Sequence, residues 1–225
     1  MNNNMINKYD LDSAIDYENG FMLTSEPYRL GNILAHYELY KKIIDIPGDV
    51  IELGVFKGNS LIQFSTFREL FENELSRKII GFDIFGLFPE ECLIESDKQF
   101  AEKWNDKFNS EFLSKKDLEK SLKSKKISNV ELIQGNILET VPRYLKENPH
   151  IRISLLHIDT DVYEPAKKSL ELLFDRVVKG GVIIFDDYGT VEGETLAIEE
   201  FLNDKDYIIN KFKFSHSKPS YIIKK

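Results

Sequence analysis

The chain has 225 residues, of which 42% are hydrophobic and 30% charged, so it can bury a sizeable core and is not disordered throughout. Its 30 lysines and arginines against 38 aspartates and glutamates leave a net charge of −8, which disfavours a nucleic-acid partner. The single cysteine excludes an internal disulfide, and no apolar run approaches the ~18 residues of a membrane-spanning helix, so we expect no membrane partner and a single cytoplasmic domain.

The predicted elements begin with an N-terminal helical segment over residues 1–47. Residues 1–25 are polar and lack clear periodicity, so we expect a flexible tip, whereas residues 27–44 repeat apolar side chains at helical spacing. Further along, Gly180 and Gly181 are expected to end a helix, because glycine adopts the left-handed cap conformation at little cost. The elements after residue 48 are a strand at 49–55, a helix at 60–75, strands at 78–85, 129–135 and 153–159, a helix at 165–178, a strand at 182–185, a helix at 196–202, and strands at 207–214 and 221–224.

This alternation of strands and helices predicts an α/β fold with an open, doubly wound, mostly parallel sheet. The last two strands are close in sequence and are predicted to pair antiparallel. Sheets of this kind bind ligands beyond the carboxyl ends of their strands, so the residues that follow each strand are the candidates for a functional site.

The interval 86–128 is too long for a plain crossover helix and contains several aromatic residues among many charges. Two interpretations have equal weight. One is a longer crossover with an extra helix, and the other is a lid inserted over the ligand site.

The segment after the first strand, residues 52–60 (ELGVFKGNS), contains two glycines at a predicted strand-to-helix turn. Gly54 and Gly58 allow the backbone to approach a ligand closely, and the helix that begins near Ser60 offers free amides. Without a ligand, the same residues predict a tight turn with Asn59 or Ser60 as the helix N-cap.

Two further strand ends carry residues suited to a nucleoside. Asp83 follows the second strand, where an acid can accept hydrogen bonds from both hydroxyls of a ribose. Asn136 and Ile137 follow the third strand, where they are candidates to border an adenine ring.

Four aspartates follow the fourth and fifth strands, namely Asp159, Asp161, Asp186 and Asp187. If these strands are neighbours, about 4.8 Å apart, the carboxylates converge and repel each other. A hard divalent cation such as Mg²⁺ resolves this repulsion. The alternative, in which Asp161 and Asp187 cap the following helices, explains one acid per helix but not two. His157, within the fourth strand, is predicted to be a core residue.

These motifs resemble the macrocin O-methyltransferase family, class I S-adenosylmethionine-dependent enzymes that methylate sugar hydroxyls and use Mg²⁺. The resemblance extends from about residue 49 to about residue 202. It rests on residues 52–60, 82–89 (FDIFGLFP), 158–164 (IDTDVYE) and 180–189 (GGVIIFDDYG).

The resemblance implies a site for S-adenosylmethionine. Glu52 and the loop 54–60 would hold the methionine part of the cofactor, and Asp83 would bind its ribose. Asn136 and Ile137 would lie near the adenine.

The resemblance also implies a metal centre in which Asp159, Asp186 and Asp187 hold Mg²⁺ and Asp161 is the general base. From the residues alone, the ligands and the base cannot be distinguished. The substrate would be a small-molecule sugar, and a homo-oligomer is possible.

Three other functions are compatible with the residues. Residues 159–161 form a D-x-D motif that could hold a metal on a nucleotide-sugar in a glycosyltransferase. A catechol-type O-methyltransferase would use similar metal aspartates with an aromatic acceptor. A non-catalytic binding module is the least favoured, because four converging acids are costly without a metal.

Overall fold

The computed structural model describes residue 9 and residues 11–108, 112–215 and 218–225, and it arranges seven strands in one sheet. The strands are β1 (Asp49–Leu53), β2 (Ile79–Asp83), β3 (Val130–Gln134), β4 (Ile153–Ile158), β5 (Val177–Phe185), β6 (Asn210–Lys211) and β7 (Ser220–Ile223). Their order is β3-β2-β1-β4-β5-β7-β6. The first five strands pair in parallel, and β7 pairs antiparallel with both β5 and β6. The predicted doubly wound sheet with an antiparallel C-terminal pair is confirmed.

Helices cover both faces of this sheet. Within the described residues they are α1 (Ala14–Thr24), α2 (Pro27–Lys41), α3 (Asn59–Phe71), α4 (Glu95–Phe108), α5 (Lys115–Ser124), α6 (Ile137–Glu147), α7 (Tyr163–Leu173) and α8 (Glu192–Leu202). One face packs on α2, α3 and α5, and the other packs on α6, α7 and α8. Among the described helices, none combines the length and the apolar character that a membrane span requires.

Strand alternation assigns each side chain of β1 to one of the two faces. Ile51 and Leu53 pack with α6, α7 and α8, whereas Val50 packs with α2 and α3. Because successive strand residues point to opposite faces, Glu52 is directed to the α2 and α3 side, where it is fully buried. A carboxylate therefore lies in a largely apolar layer, beside the equally buried His157.

The prediction that Gly180 and Gly181 end a helix is wrong. The helix α7 ends at Leu173, a short 3-10 turn follows, and both glycines lie inside β5. In the pairing of β4 with β5, Ile153 opposes Val177 but Leu155 opposes Val182, so β5 carries the extra residues of a bulge. Gly180 has a φ of +84° there, which explains the glycine by a strand irregularity rather than by a helix cap.

The two ends of the chain also differ from expectation. Residues 14–24 form α1, which buries no side chain and so has no apolar stripe for periodicity to detect, while residues 1–8 and 10 lie outside the described part. At the other end, only Asn210–Lys211 of the predicted strand 207–214 pairs as β6. Phe212 and Phe214 stack with ring centroids 5.1 Å apart, and Phe212 also stacks on Tyr221. The apolar alternation in this segment therefore reflects aromatic stacking.

The long interval between β2 and β3 contains α4 and α5. The first of the two interpretations, a crossover with additional helix, therefore describes its secondary structure. The helix α5 packs on the sheet through Leu118 and Leu122, whereas α4 lies over the carboxyl edge and contacts α8.

Candidate active site

A cavity opens at the carboxyl ends of β1 to β4. Its walls include Gly54 and Phe56 after β1, residues 83–86 after β2, residues 135–137 after β3, and residues 159–161 after β4. The strand order reverses at β1, which has β2 on one side and β4 on the other, and ligands of doubly wound sheets bind at such a switch point.

The turn after β1 is held against the end of β4. Gly54 has a φ of +87°, and a Cβ atom there would lie 1.8 Å from the backbone oxygen of Asp159, so only glycine fits. Gly58 is the left-handed N-cap of α3, so neither Asn59 nor Ser60 caps that helix as the ligand-free interpretation expected. Of the predicted cofactor residues in this loop, only Gly54 lines the cavity.

Asp83 connects the turn after β1 to the end of β2. One of its carboxylate oxygens accepts hydrogen bonds from the backbone N–H groups of Val55 and Phe56, at 2.7 and 2.8 Å. The other oxygen accepts from the N–H of Phe85. Burial raises the pKa of Asp83 above its ordinary value, although these hydrogen bonds oppose the shift. The side chain lines the cavity and shapes the loop that faces it.

Asn136 and Ile137 also line the cavity, at the start of α6. The Asn136 side chain caps this helix by accepting a hydrogen bond from Leu138 N at 2.9 Å, and Cys92 Sγ lies 3.4 Å from the same oxygen. Burial, together with nearby Glu91, raises the pKa of the Cys92 thiol to about 11, so this cysteine is not a reactive nucleophile.

Aromatic side chains from the β2–β3 interval cover the mouth of the cavity. The Trp104 ring centroid lies 5.2 Å from that of Phe56, 4.7 Å from that of Phe108 and 6.3 Å from that of Phe88. Phe56, Phe88 and Trp104 line the cavity. The mouth therefore presents flat apolar surfaces to a ligand.

The acids after β4 and β5 converge as expected for neighbouring strands. Asp159, Asp186 and Asp187 each offer a carboxylate oxygen, and these atoms lie within 4.8 Å of one another. Asp161 adjoins the group and has a φ of +61°, a conformation unusual for any residue but glycine. Neither Asp161 nor Asp187 caps the helix that follows, because the N-caps of α7 and α8 are Val162 and Val191.

The crowding of carboxylates perturbs their pKa values. Burial and the negative charges of the neighbouring acids raise the pKa of Asp159 and of Asp161 well above the ordinary range. Burial also acts to raise the pKa of Asp186, but His157 and His36 outweigh it and hold that pKa well below its usual value. Burial and mutual repulsion therefore dominate at Asp159 and Asp161, whereas the two histidines dominate at Asp186.

His157 is fully buried, as predicted, but it is not an ordinary core residue. Its Nδ1 lies 3.4 Å from Glu52 and its Nε2 lies 3.6 Å from Asp186. Burial acts to lower the pKa of His157, whereas the two facing carboxylates outweigh it and raise that pKa to about 10.

Three residues that the motifs did not identify complete the site. Glu194 of α8 is fully buried and accepts hydrogen bonds from the backbone N–H groups of Thr160 and Asp161 with one oxygen, and of Asp187 with the other. Its helical spacing to the buried Ala197 and Ile198 would have placed it on the core face of α8.

The second residue is Lys218, whose Nζ lies 2.6 Å from Asp187 Oδ1 and 3.7 Å from Asp186 Oδ2. The third is His36 of α2, whose Nε2 lies 3.7 Å from Asp186 Oδ1. Neither had a signal in the sequence around it, because both reach the site only through long-range packing.

Taken together, the strand order, the cavity over β1 to β4 and the acids after β4 and β5 define a class I methyltransferase. Comparison with known proteins agrees with this class. The family model for macrocin O-methyltransferase (TylF) matches residues 29–211. The chain therefore belongs to the macrocin O-methyltransferase family and is an O-methyltransferase that uses S-adenosylmethionine.

Solved structures of other methyltransferases share the fold. A crystal structure of CalS11, a calicheamicin methyltransferase, is 25% identical in sequence and has a TM-score of 0.72. The match covers 96% of this chain and 87% of the CalS11 chain. An apo structure of CalS11, described as TDP-rhamnose 3'-O-methyltransferase, is 26% identical with a TM-score of 0.71, covering 96% and 88%. The O-methyltransferase NovP is 20% identical with a TM-score of 0.74, covering 86% and 79%. No curated protein matches the chain significantly.

Proposed function

We propose that this chain methylates a hydroxyl group of a sugar, and that a Mg²⁺ ion held by Asp159, Asp186 and Asp187 assists the reaction. The observation that carries the proposal is the convergence of these three carboxylates, within 4.8 Å, at the edge of the cavity. The similarity to CalS11, described as a TDP-rhamnose 3'-O-methyltransferase, supports a deoxysugar as the acceptor.

The residues present fit a hard divalent cation. All three donors are carboxylate oxygens, the ligand type that Mg²⁺ prefers. Burial, together with the negative charges of neighbouring acids, raises the pKa values of Asp159 and Asp161, and a dication would stabilise their ionised forms. Lys218 supplies one positive charge beside Asp187, and its side chain is 36% exposed, so it is able to withdraw when a metal binds.

The cofactor, when bound, supplies an electrophilic methyl group. We propose that Gly54, Asp83, Asn136 and Ile137 border it, because all four line the cavity. Asp83 holds the turn after β1 against the cavity, and Asn136 fixes the start of α6. Gly58 and Asn59 belong to the loop after β1, but neither is among the described residues that line the cavity. We therefore propose that they contribute through the backbone of the loop.

Asp159, Asp186 and Asp187 would hold the ion, which would act as a Lewis acid and make the acceptor hydroxyl easier to deprotonate. The protein's own contribution is to remove the proton and to hold the acids in place. Asp161 lines the cavity beside the proposed ligands and is the general base of the proposal. Glu194 holds the backbone of Asp161 and Asp187 together through its hydrogen bonds, which fixes the base relative to the metal ligands.

Family membership argues against the glycosyltransferase and the non-catalytic interpretations, because the matched family consists of O-methyltransferases. The catechol-type acceptor is the remaining alternative. The aromatic mouth formed by Phe56, Phe88 and Trp104 would suit a flat ring, so the acceptor assay must include a catechol.

The test combines ligand binding with turnover. Melting temperatures of the full chain are measured alone, with S-adenosylhomocysteine, with Mg²⁺ and with both, since a ligand at 100 times its Kd stabilises the folded state by about 2.7 kcal/mol. Methyl transfer from labelled S-adenosylmethionine is then measured with TDP-rhamnose and with catechol, in Mg²⁺ and in EDTA. The proposal expects Mg²⁺-dependent methylation of the sugar.

Matched variants separate the cofactor site from general stability. Asp83→Ala is expected to lose the rise in melting temperature that S-adenosylhomocysteine causes, whereas Asp204→Ala, which removes an exposed aspartate, is expected to keep it. If catechol is methylated and TDP-rhamnose is not, the proposed acceptor changes from a sugar to an aromatic compound. Undiminished activity in EDTA would remove the metal from the mechanism.

Several expectations stay predictions: a homo-oligomer, a cytoplasmic location, the absence of nucleic-acid and membrane partners, the single domain, and the role of residues 86–128 as a lid. The lid can be followed directly, because Trp104 is the single tryptophan of the chain and lies in the aromatic mouth. A change in its fluorescence on addition of S-adenosylhomocysteine would report a change in the surroundings of this ring, by contact with the ligand or by movement of α4.

A further inference from the structure

A continuous row of buried polar side chains runs beneath the proposed metal site. Glu52 on β1 and His157 on β4 are directly paired neighbours on adjacent strands, and both are fully buried. The layer around them is otherwise apolar, with Val50, Leu155 and Ile184 on the same face. Buried polar groups in such a layer are costly, so their retention calls for a specific role.

One end of this row is a proposed metal ligand. His157 Nε2 lies 3.6 Å from Asp186 Oδ1, and His36 Nε2 lies 3.7 Å from the same oxygen. The other oxygen of Asp186 faces Lys218. Two imidazoles therefore lie behind one carboxylate oxygen of this proposed metal ligand.

The other end of the row is the loop that faces the cofactor cavity. Glu52 Oε1 lies 3.4 Å from His157 Nδ1 and accepts a hydrogen bond from Ser60 Oγ, at the start of α3. Glu52 does not line the cavity among the described residues. This position is different from the one that its motif implied, which was a direct contact with the methionine part of the cofactor.

The ring nitrogens in the row are not saturated by short hydrogen bonds. Among the described residues, His36 Nε2, both nitrogens of His157 and Glu52 Oε2 are buried without a hydrogen-bond partner. A modest shift of Asp186 toward the two rings would bring its Oδ1 within hydrogen-bonding distance of His36 Nε2 and His157 Nε2.

We infer that His157 is a positioning residue that orients Asp186 for the metal, and that Glu52 acts through His157 rather than by binding the cofactor. The inference rests on the proposed Mg²⁺ site. Groups that hydrogen-bond to metal ligands fix their orientation, and their removal typically weakens metal binding about 10–100-fold. Because the row ends at Ser60, it also links the cofactor loop to the metal site.

The test measures Mg²⁺ and S-adenosylhomocysteine binding separately, by calorimetry on the full chain. His157→Gln is expected to weaken Mg²⁺ binding about 10–100-fold, and Glu52→Gln is expected to weaken it less but in the same direction. The double variant should lose little more than His157→Gln alone, since both residues act in one row. Affinity for S-adenosylhomocysteine should change far less than affinity for Mg²⁺.

The matched controls are His150→Gln and Glu147→Gln, which make the same chemical changes at exposed positions. If His157→Gln fails to fold, His36→Gln tests the second imidazole behind Asp186. Folded variants that bind Mg²⁺ within twofold of the wild type would overturn the inference. A Glu52→Gln variant that loses S-adenosylhomocysteine binding but keeps Mg²⁺ binding would also overturn it.

The failure of the proposed function has a different signature. If the wild-type protein itself does not bind Mg²⁺, the metal site is wrong and the row has nothing to orient. If the wild type binds Mg²⁺ and the variants bind it equally well, the metal site stands and only the positioning role is withdrawn.

Discussion

Replacing Gly54 by alanine tests whether the close approach of β1 and β4 selects the glycine. The substitution places a Cβ atom 1.8 Å from the backbone oxygen of Asp159, far inside any tolerated contact. The obstacle is backbone rather than a flexible side chain, so the two strand ends must separate. Asp159 N also donates to Leu53 O at 2.9 Å, and this hydrogen bond is strained by the same movement.

The magnitude follows from two contributions. The left-handed backbone, with a φ of +87°, costs an alanine about 1–2 kcal/mol. Overpacking against a fixed backbone atom adds about 1–3 kcal/mol. Gly189→Ala is the matched control, because Gly189 has a φ of +78° but no atom within 4 Å of its added Cβ. The control therefore incurs only the first contribution.

The assay is equilibrium unfolding in urea of the wild type and both variants. Gly54→Ala should be less stable than Gly189→Ala by about 1–3 kcal/mol, or roughly 2–12 °C in melting temperature for a chain of this size. Calorimetry should in addition show weaker Mg²⁺ binding by Gly54→Ala, since Asp159 is displaced. Equal unfolding free energies for the two variants would refute the reasoning.

The remaining predictions concern the acids and their cation. Asp161→Asn should lower kcat by about 10²–10⁴-fold, as removal of a general base does, with S-adenosylhomocysteine affinity unchanged by calorimetry; an unaltered kcat would remove Asp161 from the mechanism. Lys218→Met should raise Mg²⁺ affinity up to about fivefold, because the ion pair of Lys218 with Asp187, worth about 1 kcal/mol, no longer competes with the metal. Weaker Mg²⁺ binding by this variant would contradict the prediction. Burial and the charge of Asp187 raise the pKa of Glu194 from 4.5 to about 8, so the folded protein keeps a proton that the unfolded chain releases. In EDTA the free energy of unfolding should therefore fall from pH 4.5 to 8, by up to about 1.4 kcal/mol per pH unit for this group, and saturating Mg²⁺ should reduce the fall; urea unfolding that shows stability rising over this range would contradict the assignment.

Much of the fold was predictable because its signals are local. The apolar runs of β4 and β5 predicted buried parallel strands. The aspartates that follow them predicted the edge of the sheet at which the acids meet. The glycine pair at 180–181 misled because a strand bulge and a helix cap select the same residue, and only the register of β4 against β5 distinguishes them.

The site was predictable where residues follow strands and not where packing brings them in. Asp159, Asp186 and Asp187 converge because neighbouring parallel strands end together. Lys218 and His36 lie 32 and 150 residues from Asp186 along the chain, and nothing near them in sequence indicates the encounter. Glu52 carried a motif, yet the motif could not reveal that strand alternation points its carboxylate away from the cavity.

The position of β7 within the sheet has a consequence for how the protein is made. β7 is inserted between β5 and β6, although it comes last in the chain. During synthesis the outer edge of β5, whose residues 182–185 are apolar and buried in the finished fold, therefore has no hydrogen-bonding neighbour until residues 220–223 leave the ribosome. An open apolar edge is a template for pairing with other chains, so the nascent protein passes through an aggregation-prone stage that closes only when the final strand arrives.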